Sequence, residues 1–236
     1  MSTIFTPKPY GEPAEKPRVR VYGFVDGFNL YHALQKFQPA VPVADPNRYQ
    51  KYKWLCLTSL LKRFIGTQTD DLVGVEYFTA YPNWPNSEAK KLRHQQYVAA
   101  QRQMGVNVTL GEFRSKLVDC KATCGLPFPV PVEKQTDTNI AISLIDFADR
   151  YDKAILLTGD SDQVPAVKLL KRLYPEKKIA VLVPIGRGAK ELQQVCDETF
   201  KMTEAQLAAC QLPNPIAVMK DGKPTGGMIV KPTTYS

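Results

Sequence analysis

The sequence predicts an α/β fold, a three-layer α/β/α sandwich with a central mostly parallel sheet. Strand-like and helix-like stretches alternate along the whole middle of the chain. Residues 154–157 and 179–183 are short continuous apolar runs, as in strands buried on both faces. Between such runs, apolar residues recur at helical spacing. Together these patterns imply a sheet sandwiched between helices rather than an all-helical bundle or an antiparallel sandwich.

Each element has its own signal. Residues 19–25 are rich in β-branched side chains and stop at Asp26-Gly27, a turn pair. Residues 28–37 place Leu30, Tyr31, Leu34 and Phe37 at helical intervals, and residues 54–65 do the same with Leu57, Leu60, Leu61 and Phe64. A strand is expected over 72–80, a long polar helix over 87–104 and a strand over 107–113. Ile140, Ala141, Leu144, Ile145 and Ala148 mark a helix over 137–150. Helices over 164–173 and 189–196 follow the two apolar runs. The ends read differently. Residues 1–18 carry Pro7, Pro9, Pro13 and Pro17 and read as a flexible arm. Residues 211–236 read as an extended tail with a hairpin at Lys220-Asp221-Gly222-Lys223. The expected domain is 19–210, with 114–134 as an irregular insertion carrying Pro127, Pro129, Pro131 and the pair Cys120 and Cys124.

Composition narrows the chemistry. The chain has 236 residues, and Lys plus Arg outnumber Asp plus Glu 31 to 23, a net charge of +8. That excess suits a polyanionic partner, although solubility alone also explains it. No run approaches the roughly 18 apolar residues of a membrane span. Five cysteines without a disulfide framework, and no apolar leader in the first 18 residues, suggest a reducing compartment such as the cytoplasm.

Against this basic background, acids gather at the ends of apolar runs. Asp26 lies in Phe24-Val25-Asp26-Gly27-Phe28-Asn29, and Asp160 and Asp162 in Leu157-Thr158-Gly159-Asp160-Ser161-Asp162. Asp137 opens the helix before the second of these runs. In open parallel sheets, sites form beyond the carboxyl ends of strands where the strand order reverses. If the strands ending at Asp26 and Thr158 are neighbours, the acids face one crevice. Clustered carboxylates repel, and a divalent cation relieves that repulsion. The bland readings are helix caps for Asn29, Asp137 and Asp160. Taken singly these would suffice, but two acids flanking Ser161 exceed what one cap needs.

The three motifs in order resemble the NYN domain, the LabA-like branch of the PIN-like ribonucleases. The resemblance rests on Phe24 to Tyr31, on Lys134-Gln135-Thr136-Asp137-Thr138-Asn139-Ile140-Ala141, and on Ala154 to Asp162. Pro184-Ile185-Gly186-Arg187, with Leu192, Asp197 and Phe200, is similar to the family's closing segment. The match spans residues 19–203, and Gln163 departs from the aromatic or apolar residue common at that place. The resemblance implies a Rossmann-like sandwich that hydrolyses RNA with Mg²⁺ or Mn²⁺. It puts the acidic positions on Asp26, Asp137, Asp160 and Asp162, with Asn29 as polar companion. Lys134, Arg187 and Lys190 are the candidate RNA contacts, the last two at a helix start where N–H groups favour phosphate. The competing readings are a non-catalytic RNA-binding module on the same fold and a metal-dependent phosphatase for small substrates. Cys120 and Cys124 would supply half of a structural Zn²⁺ site, which Cys196, His94 or a second copy in a homodimer could complete. Phe128 is a stacking candidate on the same segment. His32 lacks a partner motif for a triad, and Gly186-Arg187-Gly188 falls short of a dinucleotide fingerprint.

Overall fold

The computed structural model describes residues 17–35, 48–120 and 125–235. Val19–Asp26 forms strand β1 and Gly27–Gln35 helix α1; Phe37 lies outside the described residues. Leu57–Leu61 is α2, continued by a 3₁₀ turn at Lys62–Phe64. The predicted helix over 54–65 starts late, because Leu55 pairs across to Gln211 and Cys56 is extended. Asp70–Thr79 is β2, Glu88–Gln103 is α3 and Asn107–Leu110 is β3. Glu112–Asp119 and Pro127–Lys134 are β4 and β5. Thr136–Asp146 is α4, Lys153–Leu157 is β6 and Val164–Leu173 is α5. Lys178–Val183 is β7, Lys190–Val195 is α6, Glu198–Lys201 is β8 and Glu204–Ala209 is α7. Ile216–Lys220 and Lys223–Ile229 are β9 and β10.

Six strands form one parallel sheet in the order β3-β2-β1-β6-β7-β8, with helices on both faces, the predicted three-layer α/β/α sandwich. The chain runs outward from β1 to β3 on one side, then returns to β6 beside β1 and runs outward on the other. The order therefore reverses between β1 and β6, whose register pairs Val25 with Leu157. Their carboxyl ends lie side by side, as the motif placement required.

Side-chain alternation decides what each strand end presents. In β1, Val21 and Val25 face the core layer built with Trp54, Leu57 and Leu60, whereas Tyr22 and Phe24 face the layer built with Ile140, Leu144 and Leu170. With a period of two, Asp26 continues the Tyr22–Phe24 row and turns toward the α4 side. In β6, Ala154 and Leu156 share that face, so Thr158 turns the same way. At the opposite edge of the sheet, β1 and β6 are tied by Arg20 to Asp152, 2.8 Å apart.

Two regions differ from expectation. Of the segment expected to be irregular, 114–119 and 127–134 lie instead in β4 and β5, which form an antiparallel ladder. Pro127, Pro129 and Pro131 share one parity, so all three sit at positions whose backbone N faces away from β4 and the ladder loses no donor. The segment from 211 onward is not an extended tail. Leu212 and Ile216 are buried, the Trp54 indole N–H donates to Pro213 O (3.1 Å), and β9 lies against α3 through Met219 N–H to Gln103 Oε1 (2.9 Å). The hairpin does turn at Asp221-Gly222, both with positive φ (51° and 74°), as a two-residue connection needs. Among the described residues no helix is long and apolar enough to cross a membrane.

Candidate active site

Asp26 is 3% exposed at the end of β1. Its Oδ1 accepts the Asn29 N–H (2.9 Å), which caps α1, and its Oδ2 accepts the Thr158 hydroxyl (2.7 Å) from the end of β6. Asn29 is therefore not the cap. Its Oδ1 accepts the Gly159 N–H at 3.1 Å, joining the turns after β1 and β6. Gly27 and Gly159 allow this closeness. A Cβ on Gly27 would stand 2.5 Å from Phe78 O, and one on Gly159 3.0 Å from Gly188 O and 3.4 Å from Asn29 Oδ1.

Asp160 follows on. Its N–H donates to Thr158 Oγ1 (3.1 Å), and its Oδ1 accepts the Asp162 N–H (3.0 Å), capping the short turn Ser161–Gln163. Asp162 is exposed. Asp137 sits in the first turn of α4, yet the acceptor used there is Glu133, whose Oε1 takes the Thr136 N–H (3.1 Å) and hydroxyl. Gln135 adopts a left-handed backbone (φ 78°) to make this tight β5-to-α4 turn. Asp137 is thus not spent on the cap; its carboxylate is hydrogen-bonded with Gln163, and its backbone carbonyl accepts from the Nε2 of that same buried side chain (3.2 Å).

The electrostatics bind the acids into one group. Burial, opposed by the two hydrogen bonds and reinforced by Asp137 and Asp160, pushes the Asp26 carboxyl up to about 6. Loss of hydration, then the charges of Asp160, Glu133 and Asp162, raise Asp137. Among the described residues no ion pair involves Asp26, Asp137, Asp160 or Asp162. The donor set is one of hard oxygens carrying unrelieved charge, which fits a hard divalent cation. Gln163 Oε1, buried beside this group, has no hydrogen-bond partner among the described residues, which fits a cation-bound water there. Among the described residues no three Asp, Glu, His or Cys side chains already converge on a single point. The acids share a crevice without forming a closed cage.

Of the predicted basic contacts, Arg187 has its Cβ 3.3 Å from where a Cβ at Gly159 would lie, so the loop after β7 leans over the β6 turn. Lys190 opens α6 and is exposed, as is Lys134 at the end of β5. Cys124 lies outside the described residues, so the proposed zinc pair is seen only at Cys120, a free thiol. His94, a suggested third ligand, is instead held by Thr79 (3.0 Å), and burial with Lys90 nearby lowers it to about 4. Sequence reading missed Thr158 and Glu133. Thr158 was legible from strand parity, being two residues after Leu156, whereas Glu133 had no signal short of the turn geometry.

The fold has a counterpart in a protein of unknown function from Vibrio parahaemolyticus, with a TM-score of 0.50 and 17% identity over 82% of this chain and 97% of that one. A protein from Burkholderia pseudomallei, provisionally described as pilus assembly-related, matches with a TM-score of 0.24 and 13% identity over 57% of this chain and 84% of that one. No curated protein matches the sequence. The NYN domain profile matches residues 20–203, most of the chain and all of the acidic crevice. The chain belongs to the NYN domain family, part of the PIN-like nuclease superfamily.

Proposed function

We propose that this protein is a metal-dependent ribonuclease hydrolysing RNA phosphodiester bonds at the crevice between β1 and β6. The observation that carries the reading is the gathering of Asp26, Asp137, Asp160 and Asp162, without ion-pair partners among the described residues, where the strand order reverses. A surface built only to bind phosphate gains nothing from such a group. The net charge of +8 favours a polymer over a small phosphoester.

Asp26, Asp137, Asp160 and Asp162 would hold Mg²⁺ or Mn²⁺, which when bound acidifies water and offsets charge on the phosphate. The chain's own residues do the positioning. Thr158 and the Asn29 N–H fix both Asp26 oxygens while leaving each a second lone pair. The Asn29 bridge to Gly159 locks the two strand ends in register, so Asp26 and Asp160 cannot drift apart. Lys134, Arg187 and Lys190 would steer and hold the RNA backbone.

Labelled single-stranded RNA should be cut with Mn²⁺ or Mg²⁺ and spared with EDTA. Asp26→Asn and Asp160→Asn should each lower the rate by about 100-fold or more, the scale of losing one transition-state-stabilising group. Salt-sensitive RNA binding without cleavage under any divalent ion would instead make the chain a binding module.

A further inference from the structure

On the other side of α1 from Asp137 and Asp160 lies a cavity of about 430 Å³, within the range of small-ligand sites. Its wall begins at Gly27 and Phe28, the residues directly after Asp26, and includes Tyr77 and Thr79 from β2. Three cations converge on it: Lys53, and Lys90 with Arg93 one turn apart on α3. None of them forms an ion pair with a carboxylate among the described residues. Burial, then the charges of Lys90 and Arg93, lower Lys53 to about 8; burial and then Arg93 lower Lys90. Two partly buried ammonium groups beside a guanidinium that hydrogen-bonds Tyr235 repel one another and are poised for an anion.

The remaining wall is aromatic. The Lys53 ammonium stands 4.7 Å from the Tyr31 ring centroid and 6.0 Å from that of Tyr235; the Lys90 ammonium stands 5.3 Å from Tyr31 and 5.0 Å from Trp84. Phe113, from the base of the β4–β5 hairpin, packs edge-on against Trp84 at 5.0 Å and lies 6.2 Å from Phe28. Phe28 is 41% exposed, a large ring left open at the cavity edge. Rings beside cations at single-residue scale match a base and its phosphate, and stacking does not need a particular base. An inorganic anion alone would use only the cations and leave the open face of Phe28 unused.

We propose that this cavity is a nucleotide subsite, taking one unstacked nucleotide of single-stranded RNA with its base among Phe28, Trp84 and Tyr31 and its phosphate at Lys53, Lys90 and Arg93. Because its wall starts at the residue after Asp26, it holds the strand next to the acidic crevice. The assignment of RNA rests on the ribonuclease reading, but binding to the cavity does not require cleavage.

The test titrates the full chain, without divalent ions, with uridine and adenosine 5′-monophosphates, the free nucleosides, inorganic phosphate and a short single-stranded oligonucleotide. Trp84 fluorescence follows binding. The monophosphates should bind saturably, more tightly than nucleoside or phosphate, and equally well to Asp160→Asn. The Lys90→Ala/Arg93→Ala variant should bind them about tenfold more weakly or worse, as expected for losing two phosphate contacts. Its melting temperature should be unchanged or higher, since repulsion is removed, so a folding defect is told apart from a lost site. Phosphate binding as tight as nucleotide binding would overturn the subsite, as would monophosphate affinity unchanged in the double variant. RNA cleaved by the wild type with no monophosphate binding would also sink the subsite and spare the ribonuclease reading. Monophosphates bound as described by a protein that never cuts RNA would support the subsite and sink that reading.

Discussion

Asp26 carries a measurable consequence by itself. An aspartate raised from 3.8 to about 6 holds a proton in the folded chain that the unfolded chain has already released. Between about pH 4 and 6 the folded state binds more protons, so stability falls as pH rises through that window, and the loss is complete above it. The size is about 3 kcal/mol, from roughly two pKa units at 1.4 kcal/mol each. Urea unfolding without divalent ions should show this decline between pH 4 and 7 in the wild type and a smaller decline in Asp26→Asn. Adding Mn²⁺ at neutral pH should raise the wild-type melting temperature and shift the variant less. Equal pH profiles in the two proteins would mean that Asp26 is not the strained acid. The residue scale is also where sequence reading fell short. It singled out Asp26, Asp160 and Asp162 from their place after strands and Asp137 from its place at a helix start. It weighed a helix cap for Asn29 beside its reading as the polar companion of Asp26, because a cap and a bridge across 130 residues look alike in one dimension; Asp26 provides the cap and Asn29 the bridge.

Among the elements, the predicted helices and parallel strands came through with small shifts, since each buries an apolar stripe or run that the sequence displays. The β4–β5 hairpin did not, because three prolines in eight residues argue against a strand unless their parity is noticed. That parity is testable. Val130 stands opposite Lys116 at a position whose N–H faces β4. Val130→Pro should remove a ladder bond and open the hairpin, seen as faster proteolytic nicking within 112–134. Pro129→Ala should leave the nicking rate unchanged, as its backbone N–H would point away from the partner strand.

Over the whole molecule, the sheet has unlike edges. Arg20 with Asp152 pins the amino ends of its two central strands, while the carboxyl ends carry acids with no such partner among the described residues. The segment read as a tail belongs to this body, since Leu212 and Ile216 complete the core beneath Trp54. Its low apolar content concealed that role, because a few well-placed side chains suffice to seal a core. Truncation after residue 210 should lower the melting temperature by about 10 °C or more, in line with opening a buried cluster.

The Thr158 hydroxyl and the Asp26 carboxylate that it grips are 132 residues apart along the chain. During synthesis, β1 leaves the ribosome first and waits with one side bare until β6 emerges beside it. A nascent chain that stops before Asp162 lacks part of the acidic quartet, and one that stops before β6 has no crevice to hold it. On the ribonuclease reading, an enzyme made on an RNA machine is thus inert toward its maker until β6 and the turn through Asp162 have been translated.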